Sequence, residues 1–374
     1  MSTKTDWVAI ARELGPAFAE RAAAHDTDDA FVAENYASLK QQGLFAAGVP
    51  SELGGGDASH AELCGVVREL GRHCGSTALA FSMHTHNVAT QVLSWRAGNP
   101  APEALLRRVA AEKLVIATSG GSDWLLGSGK LEKVEGGYRI SGRKVFSSGV
   151  PAATFFTTMG IYDDPQNGPT LCHFGLPLPA EGFKLLDTWR VLGMCGTGST
   201  DVELKDVFIP DAAMGGLKRA PGKWHPFMHL VMLSALPIVL AAYLGVAESA
   251  REIALALVKK RKKDDAHTPY LVGEMDNCLT TAQIVHASMI ELTRTTKPSP
   301  ETTSAMGARR TIMGQALVRT VEKALEVAGG AGFYRSAQLE RAFRDMQASR
   351  FHPLQEKPQL LLTGRLALGL DIDG

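Results

Sequence analysis

From Leu230 to Ala247 the chain reads LVMLSALPIVLAAYLGVA, 18 residues without a single charge. A segment that is apolar on every side is stable only where apolar matter surrounds it, whether lipid or the other elements of a large core. Its length stands at the lower limit for crossing a bilayer. Pro237 and Gly245 interrupt it, and no second such run occurs in the sequence. The expectation is therefore the central helix of a large bundle, with no membrane as partner. At 374 residues and 45% hydrophobic, the chain has material for such a core and for two or three domains.

The pattern around that run changes character twice. Residues 1–112 read as a helical domain of amphipathic stretches (WVAIARELGPAFAERAAAHD, DAFVAENYASLKQQGL, HAELCGVVRELGRH) with apolar positions three and four apart, broken at Gly54-Gly55-Gly56. Residues 113–218 carry short β-rich runs (LVIAT, KLEKV, GYRISGRKVF, TFFTTMGIY, TLCHFGL, DVELKDVFI) parted by turn signals such as Glu135-Gly136-Gly137. Residues 219–374 return to long helices that end at turn residues such as Gly329-Gly330. The fold class expected is α+β and multidomain: N-terminal helices, a middle antiparallel β-barrel or sandwich, and a C-terminal four-helix bundle.

Charge narrows the function classes. The 39 basic and 39 acidic residues cancel, so no net field favours nucleic acid. Five scattered cysteines, never spaced as CxxC, point to a reducing compartment and away from a disulfide framework or a structural metal. The opening MSTKTDWVAIARELG has no apolar core of a signal peptide. A cytoplasmic location is the expectation.

Several words then resemble one family over nearly the whole chain. Gly43-Leu44 with Val49-Pro50 and Gly54-Gly55-Gly56 comes first. Thr118-Ser119 with Gly121-Ser122-Asp123 follows, and then Gly142-Arg143-Lys144-Val145-Phe146-Ser147-Ser148-Gly149. Leu192-Gly193-Met194, Asp206-Val207-Phe208-Ile209-Pro210, Gly329-Gly330-Ala331-Gly332-Phe333 and Arg344-Asp345 complete the order. Together they resemble the acyl-CoA dehydrogenase superfamily. That resemblance implies a flavoprotein holding its flavin where the β-domain meets the bundle, with FAD as cofactor and FMN as the alternative. It further implies a homotetramer. Phe146 would wall the flavin ring, and Thr118, Ser119, Ser147 and Ser148 would supply donors to its edge. Read on composition alone, these are ordinary strand serines and threonines. Ser122 would touch substrate. Arg261, sixteen residues after Gly245, would reach the flavin phosphates with its guanidinium fork. Gly329, Gly330 and Gly332 form a helix-ending turn that by resemblance lets the backbone approach the dinucleotide.

One departure bears on the chemistry. Acyl-CoA dehydrogenases use a glutamate base, most often eight residues after the Arg-Asp aspartate, which is Pro353 here. The alternative place, ten residues before the bundle glycine, is Ala235. Neither is acidic. His352 stands beside the first place and becomes the candidate catalytic group, with His86 a second candidate; either could equally be a helix-packing residue. A histidine near the closing helix and a Ser-Ser-Gly strand end resemble a branch of two-component flavin monooxygenases, whose chemistry needs a donor near flavin N5 and no carboxylate. Three functions stay open. The first is an acyl-CoA dehydrogenase-like oxidoreductase acting on CH–CH groups of a small thioester, possibly a CoA thioester, with an electron-accepting flavoprotein as partner. The second is a monooxygenase fed by a flavin reductase, and the third a non-catalytic flavin-binding member.

Overall fold

The computed structural model describes residues 5–119, 121, 123–260 and 265–373. Five helices open the chain: α1 (Trp7–Thr27), α2 (Ala33–Gln41), α3 (His60–His73), α4 (Gly75–Arg96) and α5 (Glu103–Glu112). Strands β1 (Ile116–Thr118), β2 (Lys130–Val134), β3 (Gly137–Lys144), β4 (Phe155–Asp164), β5 (Gly168–Pro177), β6 (Phe183–Leu185), β7 (Val202–Pro210) and β8 (Met214–Arg219) follow. Helices α6 (Pro226–Lys259), α7 (Thr268–Thr295), α8 (Pro300–Ala328), α9 (Leu339–Gln347) and α10 (Glu356–Ala367) close it.

Local chemistry sets the helix ends. Ser59 and Glu62 form a reciprocal capping box at the start of α3, and Ser299 with Thr302 does the same for α8, whose first residue is Pro300. The strands make one eight-stranded sheet in the order β6-β7-β3-β2-β4-β5-β8, with β1 on β4. Most neighbours are antiparallel, as the short turn-separated runs suggest. The pairings of β4 with β1 and with β2 are parallel.

Helix α6 carries the uncharged run, and it packs against α3, α4, α7, α8 and α9. Of its most apolar 18-residue stretch, 89% is buried, so the protein itself supplies the surroundings the run requires. Two details make this possible. At the crossing with α3, a Cβ on Gly245 would stand 2.1 Å from the Arg68 carbonyl, and one on Gly71 would stand 2.4 Å from the Ala242 carbonyl. The two backbones touch there, and only glycine allows it. Pro237 lacks the N–H that would bond the Leu233 carbonyl, and the Thr293 hydroxyl donates to that carbonyl instead, at 2.7 Å. One hydrophobic cluster runs from Trp7 through α3, α4 and α6 to Leu362, while the sheet encloses a second around Ile140, Phe156 and Ile209.

A strut joins helices to sheet. His84 Nδ1 accepts the Ile116 N–H at 3.0 Å, and His84 Nε2 donates to the Phe45 carbonyl at 2.7 Å. With both nitrogens engaged, His84 is a neutral structural residue, its pKa pushed down to about 4 by burial.

Candidate active site

The segment Phe351–Leu354 links α9 to α10 and carries His352 to the junction of sheet and bundle. Its position is fixed from two sides. Gly121, in the turn after β1, lies so close that an added Cβ would stand 2.7 Å from the Pro353 ring. On the bundle side, Arg310 of α8 donates from Nη2 to the carbonyls of Ser349, at 2.8 Å, and His352, at 2.9 Å. The His352 ring then meets Tyr243 of α6, with Nε2 and the phenol oxygen 2.6 Å apart. Burial, the Arg310 guanidinium and the nearby His86 hold the His352 pKa down at about 3. This imidazole is neutral at physiological pH.

His86 of α4 is the second histidine at this junction. Its Nδ1 is buried without a partner, and burial with the neighbouring His84 pushes its pKa down to about 4. Arg310 Nε and Ser349 Oγ are likewise buried and unpaired. Such groups are costly to leave unsatisfied, roughly 1–3 kcal/mol each. Three polar residues with incomplete partners around one junction mark a place built for something other than packing.

On the sheet side, β3 ends at Lys144 and the chain turns sharply. Phe146 takes a left-handed φ of 56°, its ring 53% exposed and edge-on to Trp189 at 6.1 Å. A bulky residue held in that region is costly, and it leaves the ring facing outward from the sheet. Ser147 Oγ is buried with no partner, as is Thr157 Oγ1 on β4. Ser148 Oγ meets Ser199 Oγ at 2.7 Å, which meets Thr197 Oγ1 at 2.7 Å. Thr118 Oγ1 donates to the Ser119 carbonyl at 3.3 Å, and Ser119 Oγ pairs with Thr158 Oγ1 at 2.6 Å. An exposed aromatic wall beside orphaned hydroxyls suits the ring and polar edge of a flavin.

Lys144 serves the fold. Its ammonium is fully buried, 2.8 Å from Asp123 and 2.6 Å from the carbonyls of Ser128 and Met159. Together with Arg219, which donates to the Leu125 carbonyl at 2.8 Å, it pins the turn between β1 and β2. The glycine turn lies apart from these residues. It ends α8 with Gly329 at φ 59° and ψ −153°, a conformation open to glycine alone. An added Cβ at Gly329 or Gly330 would meet nothing, whereas one at Gly332 would press on Ala328 and Leu339. Its first two residues therefore present bare backbone outward. Ser122 and Arg261 lie outside the described residues.

Tyr243 and Arg310 are the residues that motif reading does not single out. Arg310 had a signal, since it falls between Met306 and Met313 on the apolar stripe of α8, where a cation must be buried.

With this geometry in place, relatives can be compared. Family models of the acyl-CoA dehydrogenase N-terminal and C-terminal domains match residues 9–112 and 238–356. The chain belongs to the acyl-CoA dehydrogenase superfamily. It is 28% identical to a pigment production hydroxylase from a Rhodococcus species, over 99% of this chain and 98% of that one. It is 27% identical to the amino sugar nitrososynthase DnmZ of Streptomyces peucetius, over 88% of this chain and 85% of that one. Among solved structures, KijD3 in complex with FMN and dTDP-3-amino-2,3,6-trideoxy-4-keto-3-methyl-D-glucose matches with a TM-score of 0.87 at 25% identity, covering 99% of this chain and 96% of that one. This superfamily member is an enzyme, a flavin-dependent oxidoreductase.

Proposed function

We propose that the protein is a two-component flavin monooxygenase. It takes reduced flavin, FMN in the first instance, from a separate reductase and uses oxygen on a small-molecule substrate. The observation that carries this is the occupancy of the two places for a base. Pro353 is wedged against Gly121 and Ala235 is buried within α6, so neither place offers a carboxylate to remove a proton next to a thioester. What stands beside Pro353 is a neutral imidazole tied to a phenol. The hydroxylase and nitrososynthase relatives support the same choice, which reverses the order of the two oxidoreductase functions weighed from sequence.

Reduced flavin, when bound, supplies the electrons that activate oxygen. The protein's own residues have three tasks. Phe146 walls the ring, and the Ser147 and Ser148 hydroxyls contact its polar edge, with Thr118 and Ser119 at the neighbouring strand end. His352 and His86 present neutral ring nitrogens from the bundle side and exclude a carboxylate from the same space. Arg261, Gly329, Gly330 and Gly332 would serve the phosphate end of a flavin on a neighbouring subunit, and Ser122 the substrate. The division at residues 1–112, 113–218 and 219–374 belongs to this proposal, with the middle part as the flavin platform. So does a homotetramer, supported by the exposed Ile312, Leu360 and Leu361 of α8 and α10. A cytoplasmic location is in keeping with five unpaired cysteines.

The test separates the two oxidoreductases directly. Protein loaded with oxidised FAD or FMN is mixed anaerobically with straight-chain acyl-CoAs of several lengths, and the flavin absorbance is followed. General-base assistance is typically worth about 10²–10⁴-fold, so slow or absent bleaching is expected. The protein should in turn bind reduced FMN and alter its rate of reoxidation by oxygen relative to free FMN. Fast bleaching by any thioester would return the dehydrogenase to first place.

A further inference from the structure

Tyr243 is the single hydroxylated aromatic residue in the uncharged run, and it is fully buried. Among the described residues its phenol oxygen has one hydrogen-bond partner, His352 Nε2 at 2.6 Å. One of the two atoms must donate. If Nε2–H donated, the phenol O–H would be left buried with no acceptor, which costs roughly 1–3 kcal/mol. If the phenol donates, Nε2 is the acceptor and the one proton of a neutral ring resides on Nδ1. Among the described residues no hydrogen bond reaches Nδ1, and His352 as a residue is partly exposed, so an N–H there has room for a ligand. We propose that Tyr243 is a positioning residue that fixes His352 as the Nδ1–H tautomer, so that the site presents a neutral N–H donor to the flavin or its substrate. The catalytic consequence rests on the monooxygenase function above, but the tautomer does not.

The surroundings agree with this assignment. His86 of α4 and Arg310 of α8 face His352 and oppose a second proton on it. Asp345 of α9 and Arg310 bear on Tyr243, whose phenol keeps its proton far above the ordinary range because it is buried. Glu356, at the start of α10, faces Arg310 from the far side. Arg310 also holds the main chain at Ser349 and His352, so the segment that carries the ring is fixed opposite Tyr243. A donor that stays neutral and cannot switch tautomer is suited to stabilising a developing negative charge on oxygen. A ring free to change tautomer would at times present a lone pair at Nδ1 in place of the N–H.

Deuterium exchange at the imidazole C2 carbon tests this on the full-length chain without flavin. Its rate titrates with the ring and is read residue by residue by mass spectrometry. In the wild type the His352 midpoint should lie well below 6.5; a midpoint at or above 6.5 overturns the proposal without any variant. Tyr243→Phe keeps the ring and removes the hydroxyl. Loss of a bond that favours the neutral form should raise the midpoint by ~0.5–1 pH unit, the equivalent of one ordinary hydrogen bond, while leaving it below 6.5. A lowered midpoint means that Nε2–H donates, and an unchanged one means that the contact has no effect on the ring. A rise fully to 6.5 means that Tyr243 orders the loop and does not set the tautomer. Each of those three results overturns the proposal. None depends on what the flavin reacts with, so failure of the monooxygenase function would leave a separate trace in the bleaching experiment.

Discussion

Among single residues, Ser148 is placed to affect chemistry with the least cost to the fold. Its hydroxyl ends the chain Ser148–Ser199–Thr197, whose inner member Thr197 donates at 2.8 Å to the Met194 carbonyl. Removing the outer hydroxyl leaves Ser199 still bonded to Thr197, so Ser148→Ala should change stability by no more than ~1.5 kcal/mol. The reoxidation rate or redox potential of bound flavin should shift. Identical values of both, with flavin bound, would make Ser148 an ordinary loop residue. The candidate site was legible in the sequence only where residue type and position coincide, as at Phe146, Ser147 and His352. Lys144 and Asp123 sit within family words, yet the structure uses them as a buried ion pair bracing a turn. Tyr243 and Arg310 were missed because a lone tyrosine in an apolar run and an arginine on a helix look like packing and surface until the fold brings Tyr243 and His352, 109 positions apart, into one contact.

Elements were legible where one rule governs them. The period-3.6 stretch HAELCGVVRELGRH is α3 from end to end, and KLEKV is β2. The run GYRISGRKVF overshoots, because the left-handed turn at Phe146 takes the chain out of β3 after Lys144. The parallel pairings of β4 were not legible, since strand direction depends on which strands meet and alternation carries no such information. Strand β6 has too few residues to show a period, and β8 (MGGLKR) does not alternate apolar with polar. Gly245 belongs to this scale. It reads as a helix-weakening residue in sequence, and in the structure it sets how near α6 and α3 approach. Gly245→Ala would raise intrinsic helix propensity yet drive a methyl group to 2.1 Å from a backbone carbonyl. Backbone cannot step aside as a side chain does, so a loss at or above the ~1–3 kcal/mol typical of overpacking is expected. Chemical denaturation measures it, and an unchanged or raised midpoint would mean that the helices slide apart freely. Gly71→Ala, across the same crossing, should behave alike.

At the scale of the whole molecule, one core links the first helix to the last, and burial in it or against the sheet governs the charge of five histidines. Burial comes first among the causes that push down the pKa of His84, His86 and His286 to about 4, and of His173 and His352 to about 3. In the unfolded chain each titrates near 6.5. Below that pH the unfolded state therefore binds protons that the folded state refuses, and each such group removes about 1.4 kcal/mol of stability per pH unit until its folded pKa is reached. Asp345 runs the other way. Its buried carboxyl is pushed up to about 6, so the folded state binds an extra proton between about 6 and the ordinary 3.8, and acidification over that window relieves its strain. Five groups oppose one, and the balance falls on the acid side. The melting temperature should hold above pH 6.5 and drop steeply between pH 6.5 and 4, with the slope set by the histidines. His286→Gln offers a check on the cause, since glutamine can still donate to the Pro237 carbonyl that His286 Nε2 meets at 2.8 Å but has no proton to gain. That variant should lose less stability than the wild type on going from pH 6.5 to 5, whatever its stability at neutrality. A wild-type melting temperature that stays level or rises over that interval would mean that these rings are solvated and protonated in the folded protein. The enclosed core, and the neutral His352 within it, would then be wrong together.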